Sequence, residues 1–384
     1  MSRIDELIAE LTPSGVPYVP LSKVAEFSTT RVDASDIDDT SYVGVDNLVA
    51  LKGGRVDSSY PPNTARLTAY EPGDVLLGNI RPYLKKVWLA SNSGGCSSDV
   101  LAIRIKHEAR HSLTPAYVYY VLSSDDFFVY NTQHAKGAKM PRGEKAAILG
   151  YRIPVPPLEV QTEVVRVLDQ FTRLETDLRA EQQARLAQYE HYRAELIRNI
   201  PGETEWRTLG AVANVRTGQA PPDGVPAESG EYSFVNAGTA ESGRSPLQNT
   251  DGDAVTIPSR GQGGVGVVGY QREPFWCGPL CYRIWSTNEV VSTRFLYHFL
   301  KSIQPSIRGL QQTGGTPALN RKELVLVAVP VPAIEVQKHI VNVLDQFDGL
   351  VNDIDGGIPA EIRMRRNQYE HYRHRLLRFK ELEA

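Results

Sequence analysis

Apolar residues recur at three- and four-residue steps in two long stretches of the chain. In 154–200, Val164, Val167, Phe171, Leu174 and Leu178 share one helical face, followed by Leu186, Tyr189, Tyr192 and Leu196. In 330–384 the same spacing gives Ile340, Val343, Phe347, Leu350 and Ile354, then Ile362, Tyr369, Tyr372 and Leu376. Acidic and basic residues alternate on the remaining faces, the pattern of a solvated coiled-coil flank. A helix from Leu158 to Asn199 would extend roughly 60 Å at 1.5 Å per residue, too long for the core element of a compact domain. Residues 2–11 form a short amphipathic stretch with Ile4, Leu7, Ile8 and Leu11 on one face. Between these helices, short apolar runs punctuated by Gly, Pro and Asn predict mixed α/β structure around small sheets.

The two long stretches are copies of each other. Pro154-Val155-Pro156-Pro157-Leu158-Glu159-Val160-Gln161 returns 176 residues later as Pro330-Val331-Pro332-Ala333-Ile334-Glu335-Val336-Gln337, and Val167-Leu168-Asp169-Gln170-Phe171 returns as Val343-Leu344-Asp345-Gln346-Phe347. Gln188-Tyr189-Glu190-His191-Tyr192-Arg193 returns 180 residues later as Gln368-Tyr369-Glu370-His371-Tyr372-Arg373, so the second copy carries an insertion. Gly356-Gly357-Ile358-Pro359 predicts a helix break there, with Pro359 opening a new helix in its first turn. The chain therefore divides into 1–153 (short helix and first globular part), 154–200 (long helix), 201–329 (second globular part) and 330–384 (long helix, broken near 356–359). The globular parts align loosely: Tyr42-Val43-Gly44-Val45 with Tyr232-Ser233-Phe234-Val235, and Gly73-Asp74-Val75-Leu76 with Gly252-Asp253-Ala254-Val255. Each has a loop arginine, Arg81 or Arg260, and a helix capped by Thr114 or Ser292. Because Glu6-Leu7-Ile8 resembles Glu195-Leu196-Ile197, the first helix reads as the last turns of a helix whose body is C-terminal, which makes the chain cyclic in space.

Composition narrows the chemistry. Among 384 residues no apolar run is long enough to span a membrane, and the start has no hydrophobic signal core, which predicts a cytoplasmic protein. Three cysteines, Cys96, Cys277 and Cys281, argue against a disulfide framework and read as buried thiols, not metal ligands. Gly261-Gln262-Gly263-Gly264-Val265-Gly266 fits GxGxxG, yet the strand-like Val267-Val268-Gly269-Tyr270 follows it, so no helix N-terminus is offered to a phosphate. It reads instead as a glycine-rich loop lying close to a partner's backbone. No other catalytic signature is present, and catalysis by this chain alone is not expected. A formal net charge of −3 conceals a basic stretch, Lys136, Lys139, Arg142, Lys145 and Arg152 against the single Glu144.

Two globular halves, each followed by a PxPxxEVQ segment, VLDQF, a long helix and QYEHYR, make the sequence similar to the specificity (S) subunits of type I restriction-modification systems. That resemblance implies an α+β fold with two target recognition domains separated by two long antiparallel helices in a pseudo-twofold cyclic arrangement. It implies double-stranded DNA with a bipartite site as the target. It also implies two methyltransferase subunits docked on the helices, and restriction/translocase subunits that join them. The chain would bind no cofactor; S-adenosylmethionine and ATP would sit on the partners. The remaining readings are a coiled-coil scaffold binding other proteins and a nucleotide-using enzyme resting on 261–266.

Under this resemblance, phosphate and base contacts fall to Lys, Arg, Gln and aromatic residues in loops. The candidates are Arg81, Tyr83, Lys85 and Lys86 in one loop of the first half and Lys136, Lys139, Arg142 and Lys145 in another. In the second half they are Arg216, Gln219, Arg244, Arg260, Gln262 and Arg272. Contact with partner subunits falls to Tyr189, His191, Tyr192 and Arg193 and their copies Tyr369, His371, Tyr372 and Arg373.

Overall fold

The computed structural model describes residues 3–221, 229–238, 241–261, 263–287, 290–312, 315–353 and 355–383. Two compact units share it, Met1–Asp177 with Ile362–Ala384 and Leu178–Glu361. The division falls inside the long helices, so each unit owns parts of both. Ile354, placed on the helical face above, lies outside the described residues.

In unit 1 the strands β1 (Ala25–Phe27), β2 (Val75–Gly78), β3 (Val87–Leu89) and β4 (Val100–Ile105) form an antiparallel sheet in the order β1-β4-β2-β3. Unit 2 repeats it with β5 (Ala213–Thr217), β6 (Ala254–Pro258), β7 (Gly269–Gln271) and β8 (Cys281–Ser286), ordered β5-β8-β6-β7. Each unit has a second small sheet with one parallel pair, Tyr42–Val43 beside Gly94–Cys96 and Tyr232–Val235 beside Phe275–Cys277. The expected match of Tyr42 with Tyr232 is thus a match of strands. Gly73 and Gly252 both take φ of 90°, a left-handed turn open to glycine, directly before β2 and β6.

The helices are α1 (Arg3–Leu11), α2 (Pro115–Leu122), α3 (Asp125–Gln133), α4 (Leu158–Arg198), α5 (Thr293–Ser302), α6 (Ile334–Asn352) and α7 (Ile358–Leu376), with shorter turns between. Thr114 Oγ1 accepts from Tyr117 N and Ser292 Oγ from Phe295 N, the two caps expected. The second long stretch breaks between α6 and α7. A Cβ on Gly357 would lie 2.5 Å from the Gly349 carbonyl oxygen, and Pro359 sits in the first turn of α7.

The long helices use a narrower apolar stripe than their periodicity suggests. Val160, Val164 and Leu168 are fully buried against the core of unit 1, and Ile340 and Leu344 against that of unit 2. Leu174, Leu186 and Leu350 are exposed, because away from its globular part a helix has only another helix to cover it. In unit 1 Phe171 stacks on Tyr372 (centroids 5.3 Å), and in unit 2 Phe347 stacks on Tyr192 (5.4 Å). The VLDQF of one repeat copy therefore packs on the QYEHYR of the other within each unit.

The ring expected from the sequence closes inside unit 1. Ile4 joins the same core as Leu376 and Leu377, Arg375 pairs with Asp5 at 2.7 Å, and Val16 exchanges backbone hydrogen bonds with Lys380 and Leu382.

Candidate nucleic-acid interface

Each unit presents two loops that meet at the end of its main sheet, and the joint is the same in both. In unit 1 Arg81 N donates to the Pro141 carbonyl at 2.7 Å, and Ile80 bridges Arg142. In unit 2 Gly261 N donates to the Pro317 carbonyl at 3.3 Å, and Arg260 bridges Ala318. The loop after the second strand of the sheet is thus stitched to the loop that precedes the final segment of the globular part.

In unit 1 this joint ties the loop that carries Arg81, Tyr83, Lys85 and Lys86 to the loop that carries Lys136, Lys139, Arg142 and Lys145. Lys136 and Arg142 pair across a narrow β-bridge, which leaves Lys139 and Met140 at an exposed tip. Lys136 reaches Glu144 (2.7 Å) and Arg142 reaches Asp99 (2.8 Å), both at the surface, where such pairs exchange readily for other anions. The Asp99 carboxylate beside the guanidinium raises the pKa of Arg142. Lys145 is exposed and lies over the Phe27 ring at 5.8 Å. Tyr83 is half exposed, Lys85 pairs with Asp125 at 2.6 Å, and Lys86 donates to the Val45 carbonyl at 2.6 Å. Arg81, with φ of 52°, starts the 3-10 turn Pro82–Leu84 that displays Tyr83.

In unit 2 the candidates scatter. Arg260 sits at the loop joint and is exposed, as is Arg272 beyond β7. Arg216 lies over the Trp285 ring at 5.8 Å, in an open cavity of about 650 Å³ with Arg283, Asn249 and Asp253. The Gln219 side chain is exposed, while its carbonyl takes the Trp276 indole N–H at 2.8 Å. Arg244 is partly exposed and donates to the carbonyls of Gly230 and Glu231 and to Glu241, bracing a bend. Gln262 lies outside the described residues.

Two of the glycines of 261–266, Gly264 and Gly266, pack closely within unit 2, while Gly263 faces open space. A Cβ on Gly264 would lie 2.3 Å from the Ala237 carbonyl oxygen, and one on Gly266 would press on Arg308. After the loop comes β7, not a helix.

Burial sorts the expected partner-contact residues. Tyr189, Arg193 and Arg373 are internal, with 1%, 6% and 2% exposure, so they cannot form a docking face. Arg193 lies over Tyr189 at 4.1 Å and Arg373 over Tyr369 at 5.2 Å; the arginines of QYEHYR are packing elements. Tyr369 and Tyr372 are partly buried on Phe171, while Tyr192, His191 and His371 remain exposed.

The repeat motifs prove to be fasteners. Gln161 is fully buried: its Oε1 accepts from Thr114 N (3.0 Å), and its Nε2 donates to the Ser112 and Pro156 carbonyls (2.7 and 2.8 Å). Gln337 accepts from Ser292 N (3.0 Å) and donates to the Val290 and Pro332 carbonyls (2.7 and 2.9 Å). Asp169 accepts from the Tyr120 hydroxyl at 2.5 Å, and Asp345 faces His298 Nε2 at 2.8 Å and Arg294 at 2.8 Å. Burial, then the hydrogen bond to Asp169, raises the Tyr120 pKa; burial lowers that of His298 against the opposing pull of Asp345.

Sequence reasoning missed Lys52, Asp125 and Arg308. Lys52 and Asp125 flank the unit 1 loops, and Arg308 donates to the Gly263 carbonyl at 3.3 Å in unit 2. The Lys52-Gly53-Gly54 turn was a visible signal for the first; nothing marked the others.

Among known proteins, the family described as Type I restriction modification DNA specificity domain matches residues 70–188 and 201–364. A type I restriction enzyme specificity subunit of Escherichia coli is 31% identical over 261 residues, 59% of this chain and 63% of that protein. A putative type I restriction enzyme specificity subunit of Haemophilus influenzae is 29% identical over 295 residues, 70% of this chain and 74% of the relative. In fold, the chain is similar to the crystal structure of a type I restriction-modification S subunit from M. genitalium. That likeness has a TM-score of 0.61 at 16% identity and covers 94% of this chain and 96% of the other.

Proposed function

The chain belongs to the Type I restriction modification DNA specificity family, and on that premise we propose that its two units each read one half of a bipartite double-stranded DNA site. It works as a non-catalytic specificity subunit. Methyltransferase subunits dock on the long helices and bring S-adenosylmethionine, and ATP-using restriction subunits join the same complex in the cytoplasm. No helix among the described residues is long and apolar enough to cross a membrane.

The observation that carries this reading is the duplicated loop joint, Arg81 to Pro141 and Gly261 to Pro317, one backbone frame whose accepting proline recurs while the neighbouring side chains differ. A frame repeated with its loops altered suits two tasks of one kind and different content. Phosphate contacts from Lys139, Lys136 and Arg142 would supply affinity, and loop side chains reaching base edges would supply sequence preference.

The test is methylation mapping in a host that carries this chain and its methyltransferase partner. A single split recognition sequence is expected, with one half altered by substitutions in 81–86 or 136–142 and the other by substitutions near Arg260. An undivided site, or methylation indifferent to both sets, overturns the reading.

A further inference from the structure

Left-handed backbone gathers on one side of the unit 1 recognition face. Among the described residues, the non-glycine positions with positive φ are Leu51, Lys52, Arg81, Lys85 and Asp253. Four of the five occur in two touching turns: Leu51 N donates to the Leu84 carbonyl and Lys52 N to the Lys85 carbonyl, each at 2.8 Å. Such positions are strained for residues with a side chain and persist only where their surroundings hold them.

Two of the four, Lys52 and Lys85, bring their side chains to one carboxylate, while Leu51 and Arg81 are held by their backbone hydrogen bonds to Leu84 and Pro141. Asp125 is the first residue of α3, where the helix N-terminus favours a negative charge. Its Oδ1 takes Lys85 (2.6 Å) and Lys52 (3.0 Å), and its Oδ2 takes Arg373 of α7 (3.3 Å). Glu370 supplies a second anion to Lys52 (3.4 Å) and to Arg373. Lys52 and Arg373 are nearly buried, whereas Lys85 opens toward the loop surface. Burial of Asp125 works against its ionisation, yet the hydrogen bonds from Lys85 and Lys52 hold its carboxyl far below the ordinary range. Three cations share two anions, so the cluster carries a net positive charge, and Lys85 is its most exposed cation.

We propose that Asp125 is a positioning residue for reading the first half-site. Its carboxylate fixes Lys85 and, through Lys52, the 50–53 turn, so the 81–86 loop meets DNA in one conformation while tied to α7 through Arg373. The inference rests on the DNA-reading function proposed above and goes beyond it by assigning sequence discrimination to a residue set back from the contact loops.

The test uses the full chain assembled with its methyltransferase partner, acting on plasmids that carry randomised half-sites. Asp125→Asn keeps the shape and removes the charge. The expected result is an about tenfold loss of base discrimination, comparable to one lost base contact, confined to the half of the site that Lys85→Gln also affects. Asp125→Asn added to Lys85→Gln should cost little more than Lys85→Gln alone, and Asp125→Glu should restore part of the loss. Unchanged discrimination, equal loss at both halves, or full additivity with Lys85→Gln overturns the proposal. If Asp125→Asn does not assemble, Lys52→Met takes its place, with loss confined to that half expected and no change overturning it. A wild-type complex that discriminates at no position would overturn the underlying DNA-reading function, an outcome distinct from these.

Discussion

Units 1 and 2 share their strand order, their capped helices, their buried glutamines and the joint between their loops, yet differ in nearly every side chain those loops present. At the joint the accepting proline recurs as Pro141 and Pro317, but unit 1 has Ile80, Arg81 and Arg142 where unit 2 has Arg260, Gly261 and Ala318. The difference separates two jobs. Residues that fasten a globular part to its long helix recur in both copies, because each unit must solve the same packing problem. Residues that face outward are released to diverge, because each unit meets a different surface.

The fasteners give the sharpest way to break this comparison. Gln161→Ala removes four hydrogen bonds and Gln337→Ala three from a buried site, leaving backbone groups unpaired, so each should destabilise its unit by about 3 kcal/mol. Hydrogen exchange should locate the loss in unit 1 for the first and in unit 2 for the second. Equal loosening of both units by either substitution would contradict independent fastening.

The outward residues come next. Lys139→Ala with Arg142→Ala should weaken DNA binding about tenfold and lower the salt dependence by roughly one to two phosphate contacts. Arg260→Ala should lower it by at most about one contact, since the unit 2 joint offers fewer cations among its described residues. Affinity titrations over a range of salt decide between them.

The repeat made the architecture legible. PxPxxEVQ, VLDQF and QYEHYR located both long helices, and Gly356 to Pro359 located the break, since glycine and proline act on local backbone. The same motifs were misleading about surface. Arg193 and Arg373 look like solvated charges in a helix, but their planar heads lie on tyrosine rings that tertiary packing encloses. Arg244 looked like a free loop cation, and only the folded bend reveals the carbonyls it holds. Charge and turn residues can be read along a chain; the partners a long side chain finds across tens of residues cannot.

Acid should then tell the units apart. Unit 1 joins its helix through Tyr120 and Asp169, and unit 2 through His298 and Asp345. Burial lowers the His298 pKa, so the folded state resists a proton that the unfolded chain accepts. Unit 2 should therefore keep its full stability above the unfolded histidine value of about 6.5 and lose stability as pH falls below it. Asp345, held below its ordinary range by His298 and Arg294 despite burial, adds a further loss only at the acid end, where carboxylates protonate. Unit 1 lacks the first of these losses at this joint. Hydrogen exchange as a function of pH should show unit 2 loosening first, and His298→Tyr should bring it closer to unit 1.

The smallest effect tests whether surface pairing restrains the unit 1 loops. Glu144 is an anion within the basic 136–145 stretch and pairs with Lys136 at 2.7 Å, on a lysine that is 74% exposed. Removing an exposed pair of this kind changes stability by at most about 1 kcal/mol. For DNA binding the same change removes a negative charge from a face that meets phosphates and frees Lys136 to join them. Glu144→Gln should therefore leave the melting temperature nearly unchanged while strengthening binding several-fold and steepening its salt dependence by up to about one phosphate contact. Weaker binding would mean that Glu144 shapes the loop more than it competes for the lysine. The mirror substitution has no counterpart at the unit 2 joint, where Ala318 stands in place of Arg142 and Asn320 in place of Glu144.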